Sequence, residues 1–376
     1  MDFRLYFRSR QGELVHQLKQ LVVLESPTSD KKAVDACAAY VARELKKVAC
    51  RVTTHPQKDL GDLVVAEFAP GRVKDADDEI LVLTHIDTVW PVGQIVKMPF
   101  YVQGEKIYGP GVLDMKAGLV MVLAALRALH GLNAKPGKRI TVLVNTAEET
   151  GQGAAAELIR KLARRASLVL CPEPALPGGA LKLERKGRLV VRIDVKGRSA
   201  HGGTPEKGVS AVEELAAQIA RLKRLRVRET TVNVGLAGGG EKVNVVPESA
   251  FAMLDIRFWK VADRDRVLKV LRESPPVLPG ARLKVTVEGT TPPMEKTKAS
   301  EKLFLRAQEI AAGMGLALKG GRTGGGSDAS IAAGLGVPTL DGLGPDGDGL
   351  HARHEHLLLP SLVERTALLT ELLKEL

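Results

Sequence analysis

Glu79-Ile80-Leu81-Val82-Leu83-Thr84 is an almost wholly apolar run that ends at His85. A run of this length, with no helical periodicity, predicts a strand buried on both faces. Two others have the same form. Arg139-Ile140-Thr141-Val142-Leu143-Val144 ends just before Glu148-Glu149, and Ser167-Leu168-Val169-Leu170-Cys171 ends before Glu173. Helical periodicity fills residues 11–24, 31–47 and 118–128, with Ser29-Asp30 as a cap before the second and Gly131 closing the third. Apolar strands alternating with helices predict a mostly parallel α/β sheet. Polar residues gathered where the strands end mark the place where such sheets carry their sites.

The pattern changes near Leu181. Residues 189–195 alternate apolar and charged side chains, as a strand with one wet face does. A helix at 210–225, strands at 230–236 and 249–258 around Gly238-Gly239-Gly240, a helix at 262–273 and a strand at 282–288 complete the order β-α-β-β-α-β. That order predicts a ferredoxin-like module inserted into the α/β domain. The chain then returns with a helix at 300–313, a glycine-rich loop at 320–326, a helix from Asp328, a strand near Val337 and a last helix from Pro360. The expected division is therefore 1–180, 181–291 and 292–376, the first and last parts forming one domain.

The 376 residues are 44% hydrophobic but only 3% aromatic, so aliphatic side chains must fill the core. The net charge of +11 comes from Lys and Arg scattered among acidic residues, with no basic block carrying interleaved aromatics. This argues against nucleic acid as a partner and for attraction of small anionic substrates. Cys37, Cys50 and Cys171 have neither metal-type spacing nor an even count, which fits a reducing cytoplasm. No signal peptide is visible at the N-terminus. The longest apolar run, 117–129, contains Arg127 and is too short for a bilayer, so no membrane partner is expected.

The chemistry-bearing residues sit at the strand ends. His85 and Asp87, two apart, point to one side of an extended chain; such a His can bind a metal while the Asp orients it, although a satisfied loop His would look the same. Asp114, in Gly109-Pro110-Gly111-Val112-Leu113-Asp114-Met115-Lys116, reads equally as a ligand or a helix cap. Glu148 and Glu149 are adjacent, so their side chains diverge and can take different roles. Glu173 lies between two prolines. His351 directly follows a glycine-rich turn, whereas His354 and His356 read as ordinary. Two histidines and three carboxylates suit two Zn²⁺ ions sharing a bridging carboxylate.

In this order and spacing the set resembles the dizinc hydrolases that include glutamate carboxypeptidase, acetylornithine deacetylase, succinyl-diaminopimelate desuccinylase and aminoacylase. The resemblance runs from His85 to His351. It implies a mostly parallel-sheet zinc-hydrolase catalytic domain with an inserted ferredoxin-like α+β lid and dimerisation domain. It implies His85 and Glu173 on one zinc, Glu149 and His351 on the other, Asp114 bridging, Asp87 orienting and Glu148 as general base. Glu355, four after His351, belongs to the same motif. Ser199-Ala200-His201-Gly202-Gly203-Thr204-Pro205 resembles the family's lid motif, whose His reaches a partner subunit's site; a homodimer through the inserted domain is thus implied. Asn244, Arg257 and the loop ending at Gly326 fall where the family holds substrate, Arg257 near a free carboxylate.

The sequence departs from the family at Trp90, Ala147, Gln152, Gly202 and Ser210. None of these removes a ligand or the base, so they bear on substrate identity. The activity implied is hydrolysis of an amide next to a free carboxylate in a small peptide, with Co²⁺ or Mn²⁺ as alternative metals. Deacylation of an N-acyl amino acid is the nearest rival, and a silent binding protein on the same fold a remote one.

Overall fold

The computed structural model describes residues 2–49, 51–69, 78–151, 155–224, 227 and 229–376; Cys50 and Gln152 lie outside these. The chain divides into two compact units. One comprises Met1–Leu183, Lys296–Arg322 and Ser327–Leu376, the other Glu184–Glu295 with Thr323–Gly326.

The first unit is built on an eight-stranded sheet in the order Arg51–His55, Leu63–Phe68, Arg139–Asn145, Glu79–His85, Leu168–Cys171, Thr339–Asp341, Leu181–Arg185, Gly320–Thr323. Its centre is parallel: Glu79–His85 pairs in parallel with Arg139–Asn145 on one side and Leu168–Cys171 on the other, and Thr339–Asp341 continues that direction. The outer pairings among Arg51–His55, Leu63–Phe68 and Arg139–Asn145 are antiparallel. Every residue of Glu79–His85 is buried, as expected of a strand covered on both faces. Helix Ala117–Gly131, apolar around nearly its whole circumference, is also buried almost throughout.

Helix Ala117–Gly131 corrects one expectation, since Gly131 is its last residue and does not close it. The left-handed residue is Asn133, at φ 50, with the Ala134 N–H donating to the Leu129 carbonyl. Asn tolerates this backbone better than other side chains, and the six-to-one bond caps the helix. Residues 320–326 are likewise not all loop: Gly320–Thr323 is an edge strand. The strand expected near Val337 begins at Thr339.

A second, small sheet joins Gly347–Asp348, His356–Leu358, Lys106–Tyr108 and Tyr101–Gln103, all antiparallel. Strands of two or three residues carry no periodicity, so nothing in the sequence announces them. They matter because Lys106–Tyr108 leads into the Asp114 loop while the Gly347–Asp348/His356–Leu358 hairpin carries His351.

The second unit is a four-stranded antiparallel sheet in the order Thr231–Gly239, Ser249–Phe258, Gly187–Lys196, Arg282–Thr291. Leu189, Val191, Ile193 and Val195 face a core shared with Ala211, Leu215 and Leu222 of helix Ala211–Arg224 and with Val267 and Leu271 of helix Val261–Glu273. The order β-α-β-β-α-β is that of a ferredoxin-like unit.

Candidate metal centre

His85 is the last residue of its strand, and its imidazole is buried. Its Nδ1 lies 3.1 Å from the Asp87 carbonyl oxygen and 3.4 Å from Asp87 Oδ1. A proton held there leaves Nε2 as the free lone pair. That Nε2 is buried without a hydrogen-bond partner, yet it faces Asp114 Oδ1 at 3.3 Å and Glu173 Oε1 at 3.4 Å.

Asp114 lies in the distorted helical turn Val112–Lys116, with non-helical φ −111° and ψ 102°; the Asp114–Met115 peptide is cis. The carboxylate faces the two imidazoles and does not cap the following helix, whose N-cap position is Lys116. While Oδ1 faces His85, Oδ2 lies 3.3 Å from His351 Nε2. The same His351 nitrogen is 3.1 Å from Glu149 Oε2. One carboxylate thus stands between two imidazoles, each with a further Glu. Atoms of His85, Asp114 and Glu149 all fall within 4.8 Å of one another.

Asp87 is the hub behind this group. Fully buried, it accepts the Thr28 hydroxyl at 2.7 Å and the backbone N–H groups of Glu148 and Glu149, each at 3.1 Å. It therefore fixes both the His85 ring and the turn carrying the Glu pair. Asn145 steadies the same turn: its side-chain oxygen accepts from Thr146 and Ala147, while its amide donates to Asp328 Oδ2 at 2.6 Å. Burial pushes the Asp328 carboxyl up to about 7, and burial, with Glu173 and Asp328 close by, drives Glu148 well above the usual carboxylate range. Thr28, Asn145 and the buried role of Asp328 went unseen in the sequence. The only signals were a polar residue closing an apolar strand, for Asn145, and the acid ending Gly324-Gly325-Gly326-Ser327-Asp328.

The donor set fits divalent metal. Imidazole nitrogen and carboxylate oxygen are ligands of zinc and related ions. The His85 Nε2 orphan is otherwise costly to bury. Burial disfavours charge on His85, but Asp114, Asp87 and Glu173 outweigh it and raise its pKa well above 6.5. Contacts with Asp114 and Glu149 push His351 up to about 10. Positive charge is strongly favoured at both positions.

The remaining expected site residues lie in the second unit. His201 is exposed; its Nδ1 accepts from the Gly203 N–H at 3.1 Å. Gly202 N–H donates to the Asn244 carbonyl at 2.8 Å, which brings the His201 and Asn244 loops together. Arg257 lies on the wet face of its strand, with Nε 2.7 Å from Asp255 Oδ1; Arg188, directly opposite, reaches Asp255 Oδ2 at 2.7 Å. The Gly326 carbonyl accepts from Arg185 Nη1 at 2.6 Å. His356 is a packed residue against Tyr108, its ring centroid 5.1 Å away.

Residues 81–375 match peptidase family M20/M25/M40. Carboxypeptidase G2 of Pseudomonas sp. (strain RS-16) is 32% identical over 378 residues, spanning 97% of this chain and 90% of that protein. The structure of aminopeptidase PepT from Bacillus cereus superposes with a TM-score of 0.76 at 23% identity, covering 97% of this chain and 98% of that one. YXEP of Bacillus subtilis, described as a dinuclear metal binding peptidase, superposes with a TM-score of 0.72 at 16% identity over 97% and 98% of the two chains. At these identities the two structures establish the fold.

Proposed function

The chain belongs to peptidase family M20/M25/M40, and on that premise we propose that it is a metal-dependent exopeptidase of the carboxypeptidase G2 kind, cleaving an amide beside a free carboxylate. The observation that carries the metal reading is Asp114, whose two oxygens each face a different imidazole Nε2 at 3.3 Å. His85 and Glu173 would hold one ion, Glu149 and His351 the other, with Asp114 shared. Zn²⁺ suits these donors, as do Co²⁺ and Mn²⁺. Ions held there would lower the pKa of water and polarise a carbonyl.

Glu148 is the general base in this reading. Its backbone N–H is fixed by Asp87, and burial gives its carboxylate a high proton affinity. It takes a proton from the attacking water and returns it to the leaving amine. Asp87 positions His85 and the Glu pair. His201, exposed and held by its own loop, would stabilise the oxyanion across a homodimer formed by the second unit. Arg257, aligned by Asp255, would receive the substrate carboxylate, with Asn244 and the Gly326 loop as further substrate contacts. The basic charge balance supports an acidic product such as glutamate.

The test is turnover on peptidyl glutamates, N-acetylornithine and N-acyl amino acids, with and without chelator, for the natural chain and Glu148→Gln. Chelator-sensitive release of glutamate is expected, with Glu148→Gln lowering kcat by orders of magnitude at unchanged metal content. Turnover confined to N-acyl amino acids would move the protein to the deacylases. A metal-loaded Glu148→Gln of near-full activity would remove Glu148 from its role.

A further inference from the structure

We propose that Glu355, braced by Trp90, is the positioning residue that holds Asp114 in its place between the two imidazoles; the inference rests on the metal reading above. Glu355 is only 1% exposed and touches neither imidazole. Its two oxygens receive four N–H donors. Oε1 accepts from the backbone of Leu113 at 3.0 Å and of Asp114 at 3.2 Å. Oε2 accepts from the backbone of Gly111 at 2.9 Å and from Trp90 Nε1 at 3.0 Å.

This arrangement explains how a short loop keeps its shape. Gly111 is left-handed at φ 69°, and no side chain within the turn caps Val112–Lys116. The N–H groups of residues 111, 113 and 114 would be unpaired without Glu355. Glu355 is itself fixed by the turn that presents His351: Ala352 N–H donates to the Gly349 carbonyl at 2.8 Å, and Glu355 N–H to the Ala352 carbonyl at 2.9 Å. The side chain is therefore a strut between the loop bearing Asp114 and the loop bearing His351, whose functional atoms meet at 3.3 Å.

The chemistry is specific to a carboxylate. Both oxygens must accept, each from two donors. In Glu355→Gln one of them becomes an NH₂ facing two N–H groups, and the loop must move to separate them. Trp90 supplies the only side-chain donor of the four, which gives this departure from the family pattern a job: it holds Oε2 toward Gly111.

Chelator competition for Zn²⁺ and visible absorption of the Co²⁺-loaded protein, on the full chain, test the idea. Far-UV circular dichroism and thermal unfolding monitor the fold. Glu355→Gln is expected to weaken metal affinity about 10–100-fold, the range for outer-shell groups, and to alter the Co²⁺ bands. Trp90→Phe, which leaves three donors, should lose less but change the same bands. Wild-type affinity and an unchanged Co²⁺ spectrum in folded Glu355→Gln would overturn the proposal. Should that variant fail to fold, the same result in Trp90→Phe would overturn it. A natural chain that binds no metal defeats the metal reading and this inference together, and does so before any variant is made.

Discussion

His351 Nε2 faces Glu149 Oε2 at 3.1 Å and Asp114 Oδ2 at 3.3 Å, contacts that favour a proton which a metal ion has to displace. The sign follows from the direction of the shifts. Asp114 and Glu149 raise His351 to about 10, so that ring is charged at neutral pH, and carboxylates around His85 shift it in the same direction. Only neutral imidazole is a ligand, hence loading releases protons and apparent affinity rises with pH, about tenfold per unit for each proton released. Calorimetric titration with Zn²⁺ in buffers of differing ionisation enthalpy should register at least one proton per chain at pH 7. Affinity independent of pH between about 6 and 8.5 would contradict the proton count. The candidate ligands could be picked out in the sequence because each follows an apolar run or a glycine turn. Their supports were not. Thr28 meets Asp87 across 59 positions, Asn145 meets Asp328 across 183, and Trp90 meets Glu355 across 265, and no local pattern encodes such pairings.

At the scale of elements, the central parallel strands and the β-α-β-β-α-β unit could be read because burial imposes a pattern on four or more residues at a time. The strands Tyr101–Gln103, Lys106–Tyr108 and His356–Leu358 are too short for that, and they set where the Asp114 and His351 loops meet. Helix Ala117–Gly131 makes the dependence of the site on packing explicit. A Cβ added at Gly118 would collide with the carbonyl oxygen of Pro172, the residue before Glu173. Helix and strand end are thus in direct backbone contact beside a candidate ligand. Gly118→Ala should destabilise the protein by about 1–3 kcal/mol, as overpacking against backbone does, even though Ala is the better helix former. It should also weaken metal binding by displacing Glu173. Denaturant unfolding and chelator competition measure the two effects. A variant as stable as the natural chain would mean that helix and loop can separate freely.

The whole molecule adds an asymmetry. His85, Asp114, Glu149, Glu173 and His351 all belong to the first unit, although they come from both of its long chain segments, before residue 184 and after residue 326. An ion held by Glu149, Asp114 and His351 would cross-link those segments and stabilise only states in which they are assembled. At a hundredfold excess over its dissociation constant each ion adds about 2.7 kcal/mol. The second unit has a hydrophobic core of its own, centred on Val191, Ile193, Leu254 and Ile256, and supplies none of the five. Zn²⁺ should therefore slow amide hydrogen exchange in Glu79–His85, Arg139–Asn145 and Thr339–Asp341, and leave Gly187–Lys196 and Ser249–Phe258 as they were. Exchange followed by mass spectrometry, with and without chelator, reads both sets at once. Equal protection in the second unit would mean that its residues also hold metal. No protection in Thr339–Asp341 would mean that the returning segment, and His351 with it, does not take part.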